Sequence, residues 1–271
     1  TLVPGCGGDD GGGGGISSGV DPTKRGDELS DDEVRKICEA GNDYVVRRSK
    51  EIDPCRFAGV LADAEKALRQ RNALLKSLKQ HPSPGLEATL DIWDRAFAEA
   101  AAALVVGRRR LLADLAPHIG SHFSALAADA RESRRRAAAE YRSRIDYSTI
   151  DPDQDDAVLR TVDVIVEAVL SRRMKEIDRG LTLVGPQRDD VELLIGEVPA
   201  KGYASHGESW SLALALQLGS WDLLREDSGD PDDQPILVLD DVFAELDSGR
   251  RARLAHMVAQ AEQVLITAAR S

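Results

Sequence analysis

Three features of the sequence predict an α/β fold preceded by a helical lobe. From Arg56 to about Asp178 apolar residues recur at helical spacing; after Gly180 they contract into short runs bounded by Gly, Pro and Asp; and those runs then alternate with helical stretches. That alternation is the order that builds a mostly parallel sheet flanked by helices. The predicted organisation is a low-complexity segment over 1–54, an all-helical lobe over 55–178 and a sheet-bearing C-terminal part over 179–271.

With 271 residues the chain can bury a sizeable core, and its 42% hydrophobic and 30% charged residues are an ordinary balance for a protein folding in water. The longest apolar run, Ala100 to Val106, falls far short of the roughly 18 residues needed to span a bilayer, which excludes a membrane protein of the helical type. The net charge of −12 repels phosphate, so any nucleic-acid contact has to come from a local basic patch. Cys6, Cys38 and Cys55 are odd in number and form no C-x-x-C pair, and no secretory leader opens the sequence. A reducing cytoplasm is the compartment expected.

The elements follow in order. Gly11 to Gly15 is unbroken and apolar residues around it are sparse, so the first 29 residues are expected to stay unfolded. The capping-box spacing of Ser30 and Glu33 predicts a short helix to about Lys50. Val60, Leu61, Ala64, Leu68, Leu75 and Leu78 then mark a helix that Pro82 and Pro84 end. A second helix carries Leu86, Leu90, Trp93, Phe97, Ala100 and Leu104 to about Leu115; Pro117 and Gly120 should break it, and Phe123, Leu126 and Ala130 should begin a third. Val158, Val162, Ile165, Val169 and Met174 mark a fourth. Strands are expected at Leu181–Val184, Val191–Ile195, Ile236–Leu239 and Val264–Thr267, with helices over 207–224 and 248–261.

Arginines gather in the helical span at Arg108, Arg109, Arg110, Arg131, Arg134, Arg135 and Arg136. Two readings compete evenly. Such clusters are either solvated helix faces with acidic partners one turn away or a patch that tracks phosphates, and no interleaved aromatics favour base stacking.

The residues that carry chemistry lie in the C-terminal part. Pro235-Ile-Leu-Val-Leu-Asp-Asp241 places two carboxylates at the C-terminal end of an apolar strand, where open α/β sheets bind ligands. In this Walker-B arrangement the first carboxylate holds Mg²⁺, through water because that ion keeps its hydration shell, and the second orients or deprotonates an attacking water. Upstream, Ser205, Gly207 and Glu208 stand at a helix start: a hydroxyl, a residue that lets backbone approach closely, and free N–H groups at a positive dipole end suit a phosphate. Taken alone, the same residues also read as a plain capping box. Asp247 follows within Ala244-Glu-Leu-Asp247. A P-loop is not found, since no Gly in the chain is followed by Lys.

The order of signature helix, Walker B and Glu-Leu-Asp loop resembles the C-terminal half of an ABC-type ATPase head. In detail it is similar to the RecF family of bacterial recombination and repair ATPases. Leu183-Val-Gly-Pro-Gln-Arg-Asp-Asp190 resembles that family's Gly-Pro-His-Arg-Asp-Asp segment with Gln187 in the His position; Lys201-Gly-Tyr-Ala-Ser-His-Gly-Glu208 resembles its signature, and Arg69-Gln-Arg-Asn-Ala-Leu-Leu-Lys76 its recurring helical motif. The resemblance runs from about Arg56 to Thr267.

By that resemblance the cofactors are ATP and Mg²⁺. Asp240 is the metal aspartate, Asp241 the catalytic carboxylate, and Ser205, Gly207 and Glu208 the signature that reaches the γ-phosphate of ATP held by a second subunit. Asp247 falls in the loop joining the two sites, and 55–178 is the inserted second lobe. The resemblance further implies binding to DNA, single-stranded and double-stranded near gaps, ATP-dependent homodimers, recombinase loading with RecR and RecO, and a part in SOS induction. The segment over 1–54 falls outside it, so the chain is read as a truncated or frame-disrupted member whose P-loop half is missing and which does not hydrolyse ATP alone. The competing reading is a non-catalytic DNA-binding or partner-docking fragment, or an inactive product.

Overall fold

The computed structural model describes residues 54–228, 234–240, 242, 246–259 and 261–267. The segment over 1–53, including the short helix expected from Ser30, lies outside the described residues.

Helix α1, Pro54–Gln80, and helix α2, Pro84–Leu126, fill the first half of the lobe. The Ser83 hydroxyl caps α2 by accepting the Leu86 N–H, and Pro84 occupies a first-turn position where its missing N–H costs nothing. The expected break at Pro117 and Gly120 does not occur: α2 runs on for 43 residues with Pro117 inside it. Pro117 lies on the exposed side, where water can take the carbonyl it frees, while Leu115, Ile119 and Phe123 continue the buried stripe. Packing of that stripe outweighs the local cost of the proline. Ala130, expected in a third helix, instead lies beyond the turn that follows α2.

The helical span also contains a strand, β1, Ala137–Arg142. It pairs antiparallel with β2, Asp190–Ile195, in register from Ala137 opposite Ile195 to Arg142 opposite Asp190. Ala-Ala-Ala-Glu-Tyr-Arg has more helical than strand character, so its state is set by its partners: the small side chains of Ala137 and Ala139 pack beside Ile119 and Phe123 of α2. A two-residue β3, Val198–Pro199, completes this sheet.

Helix α3, Ala157–Arg179, buries Val162, Ile165 and Val169 against α1 and α2, but Met174 at the end of the predicted seam is exposed. No strand forms at Leu181–Val184, although Thr182, Leu183 and Val184 are buried. Side chains take their backbone donors instead: Asn72 Oδ1 accepts the Thr182 N–H at 2.8 Å and Glu176 Oε1 the Leu183 N–H at 2.6 Å.

Helix α4, His206–Ser228, packs Leu212, Ala215 and Leu223 against α2 and β2. Strand β4, Leu237–Leu239, pairs in parallel with β5, Val264–Ile266, across helix α5, Ser248–Val258. Leu237 and Leu239 face a core with Leu218, Trp221 and Leu254, while Val238 is 57% and Leu265 50% exposed, so among the described residues this pair is covered on one face. Among the described residues parallel pairing is confined to β4 and β5, and the larger sheet is antiparallel.

Candidate functional site

The turn that opens α4 is held from both sides by arginines. Ser205 and Glu208 form a reciprocal capping box: the Glu208 N–H donates to Ser205 Oγ at 3.3 Å, and the Ser205 N–H donates to Glu208 Oε2 at 2.8 Å. Ser205 and His206 remain exposed. Arg134 grips the Glu208 carboxylate with both arms of its fork, Nε to Oε1 at 2.8 Å and Nη2 to Oε2 at 2.9 Å. That guanidinium, with the Ser205 N–H, outweighs partial burial and brings the Glu208 carboxyl down to about 2.

On the other side Arg250 Nη1 lies 3.5 Å from Gly207 O, and a Cβ at Gly207 would come within 2.6 Å of the same Nη1. The contact is with the flexible end of Arg250, which would have to shift for any larger residue at this position. Arg250 Nε is in turn 3.6 Å from Asp247 Oδ2. Asp247 caps α5 by accepting the Arg250 N–H at 2.9 Å, which lowers its carboxyl below the usual range. Ser205, Gly207 and Glu208 thus form one turn, joined to Asp247 through Arg250 and braced on its other side by Arg134.

Asp240 stands on a separate element, exposed at the end of β4, where its carboxylate accepts from the Thr267 hydroxyl. Asp241 lies outside the described residues. Among the described residues no group of three or more His, Cys, Asp or Glu side chains gathers to cage a metal.

The predicted DNA arginines divide into two sets. Arg108 donates to Pro186 O at 2.9 Å, Arg109 to Ile150 O at 2.8 Å and Arg110 to Pro152 O at 2.6 Å, so this cluster pins loops onto α2. Arg134 is engaged with Glu208. Arg131, Arg135 and Arg136 are exposed on the segment between α2 and β1, with Arg135 Nε also donating to Ala130 O.

A buried ionic group went unforeseen. Arg71, fully buried on α1, donates to Asp94 Oδ1 at 2.7 Å, to Glu176 Oε2 at 2.5 Å and to Thr182 Oγ1 at 2.7 Å. It lies over the Phe97 ring, 5.8 Å from the centroid. The signal was present in the sequence: Ala64, Ala67, Arg71, Leu75 and Leu78 keep one helical spacing, which puts a cation on the apolar stripe. In the adjoining Gly-Pro-Gln-Arg-Asp segment, Gln187 donates to Val184 O and Asp189 accepts from the Tyr141 hydroxyl, burial raising the Asp189 carboxyl.

Solved structures fix the class. The chain matches the recombination mediator protein RecF with ATP in the RecFOR pathway at a TM-score of 0.64, 22% identity, 90% of this chain and 61% of that one. The RecF-ATPrS structure gives a TM-score of 0.62 at 24% identity, over 83% of this chain and 58% of that one. The chain therefore shares the fold of RecF over this span, an α/β part with small sheets joined to a helix-rich part. No protein-family model matches the chain.

Curated sequences give the family. The DNA replication and repair protein RecF of Renibacterium salmoninarum is 48% identical over 233 residues, 79% of this chain and 58% of that protein. The RecF of Beutenbergia cavernae is 48% identical over 79% of this chain and 57% of its own length, and that of Acidothermus cellulolyticus 45% over 85% and 59%. The chain is a homologue of RecF, matched over a C-terminal part and spanning somewhat more than half the length of these relatives.

Proposed function

We propose that the chain serves DNA replication and recombinational repair as the signature-bearing part of a RecF-type ATP-binding protein. The observation that carries the reading is the exposed turn Ser205–Glu208, preformed by its capping box and offered at the positive end of α4. Ser205 and Gly207 would hold the γ-phosphate of a triphosphate bound to a second subunit, and Asp240 would hold Mg²⁺ at the other half-site, with Asp241 the carboxylate that would activate water. Glu208 serves by holding the turn. ATP would bring two copies together on DNA near single-stranded gaps, in the cytoplasm, where RecR and RecO join recombinase loading and SOS induction.

Arg131, Arg135 and Arg136 are the phosphate contacts of this proposal, since Arg108, Arg109, Arg110 and Arg134 are spent on internal acceptors. Fluorescence anisotropy of a gapped duplex, titrated with salt, tests it. Each phosphate contact adds about 0.9 to the slope of log K against log salt, so replacing all three arginines by alanine is expected to flatten the slope by about 2–3. An unchanged slope would remove them from the interface. Binding that persists equally with and without MgATP would instead favour a DNA-docking module that does not respond to nucleotide.

A further inference from the structure

Arg134 differs from the arginines around it in where its guanidinium goes. Besides both oxygens of Glu208, it reaches Ile195 O through Nη1 and Tyr203 O through Nη2, each at 3.4 Å. One side chain therefore touches the last residue of β2, the loop before α4 and the first turn of α4 itself. The segment that carries it is fixed by its own backbone. The Arg134 N–H donates to Arg131 O at 2.8 Å, the Arg135 N–H to Glu132 O at 3.2 Å, and the Gly196 N–H to Arg136 O at 2.8 Å.

From this geometry we infer that Arg134 is a positioning residue: by clamping Glu208 it sets the orientation of the Ser205–Glu208 turn and ties that turn to the 131–136 segment. The inference rests on the nucleotide-facing reading of the turn but does not need nucleotide to be tested. Glu208 would touch no phosphate; with its carboxylate filled by one fork and one backbone N–H, its part is to transmit the position of the segment to Ser205 and Gly207. The groups facing Glu208 are Arg134 and the Ser205 backbone and hydroxyl. The flanking Arg131, Arg135 and Arg136 share the segment, so a load on them is passed to the turn through Arg134.

The test is nuclear magnetic resonance on the whole chain. In the wild type the Glu208 carboxyl should titrate near 2, leaving the clamp complete above pH 4.5 and lost as the pH falls through about 2. With Arg134→Ala the midpoint should return toward about 4, the ordinary carboxylate range. Amide exchange of Ser205 and Glu208 should quicken about tenfold or more, the response to losing a hydrogen-bonded lock of about 1.4 kcal/mol or greater, while amides of the β1–β2 ladder stay as they were. Arg134→Lys keeps the charge without the fork: the midpoint should stay low while exchange still rises, and this variant carries the test if the alanine variant does not fold. A wild-type Glu208 midpoint near its ordinary value, or Ser205 and Glu208 exchange unmoved by either substitution, overturns the inference. Absence of any MgATP-dependent pairing with an intact RecF, alongside the expected titration and exchange, would sink the nucleotide reading and leave the clamp standing.

Discussion

Replacing Arg71 with alanine is expected to cost about 3–5 kcal/mol, a large share of a domain stability of order 5–15 kcal/mol. Arg71 has no exposed surface, and its departure leaves Asp94 and Glu176 buried, one short of its principal cation. Arg173 Nη2 still reaches Asp94 Oδ2 at 2.6 Å, but among the described residues Glu176 pairs with Arg71 alone. Removing the ligand side as well should recover much of the loss, because neutral groups of similar volume can lie in an apolar interior without unpaired charge. The combined variant Arg71→Met, Asp94→Asn, Glu176→Gln is therefore expected to melt above Arg71→Ala. Chemical denaturation monitored by far-ultraviolet circular dichroism decides: an Arg71→Ala midpoint within 1 kcal/mol equivalent of the wild type would show the group to be dispensable.

Gly185→Ala should be the next most damaging single change, at about 2–4 kcal/mol. Gly185 has φ 109° and ψ 174°, a region that only glycine enters without strain. A Cβ there would also stand 2.6 Å from Phe97 Cζ and 2.9 Å from Gln187 Oε1. Phe97 is 1% exposed and packed in the main lobe core, so it has nowhere to retreat. Thermal melting should fall by several degrees, with the disturbance visible as lost near-ultraviolet signal around Tyr141, whose hydroxyl bonds to Asp189 four residues on. A melting temperature equal to the wild type would mean that the segment relaxes freely.

Periodicity made α1, α3 and α4 legible, because each buries a stripe long enough to dominate its local preferences. It failed where tertiary partners overrule local chemistry. Pro117 signals a break, yet α2 passes through it because Leu115, Ile119 and Phe123 all have a surface to bury against. Ala137–Arg142 is composed for a helix and becomes a strand because β2 offers a complete register. Leu181–Val184 is composed for a strand and stays out of any sheet because Asn72 and Glu176 satisfy its donors. The turn at Ser205 was readable from residue types alone, since a capping box and a phosphate-facing turn demand the same atoms. Its two arginine grips were not: Arg134 and Arg250 come from 74 and 43 residues away, a separation no local spacing reveals.

The unbroken α2 makes the molecule mechanically unlike one with two helices joined by a loop over the same span. At 1.5 Å per residue its 43 residues form a rod of about 64 Å. Phe97, about a third of the way along that rod, packs among α1 and α3, and Phe123, in its last turn, packs beside α4 and β2. A displacement at Phe97 is therefore expected to reach Phe123 along continuous helix, with Pro117 between them as the point where a backbone hydrogen bond is missing.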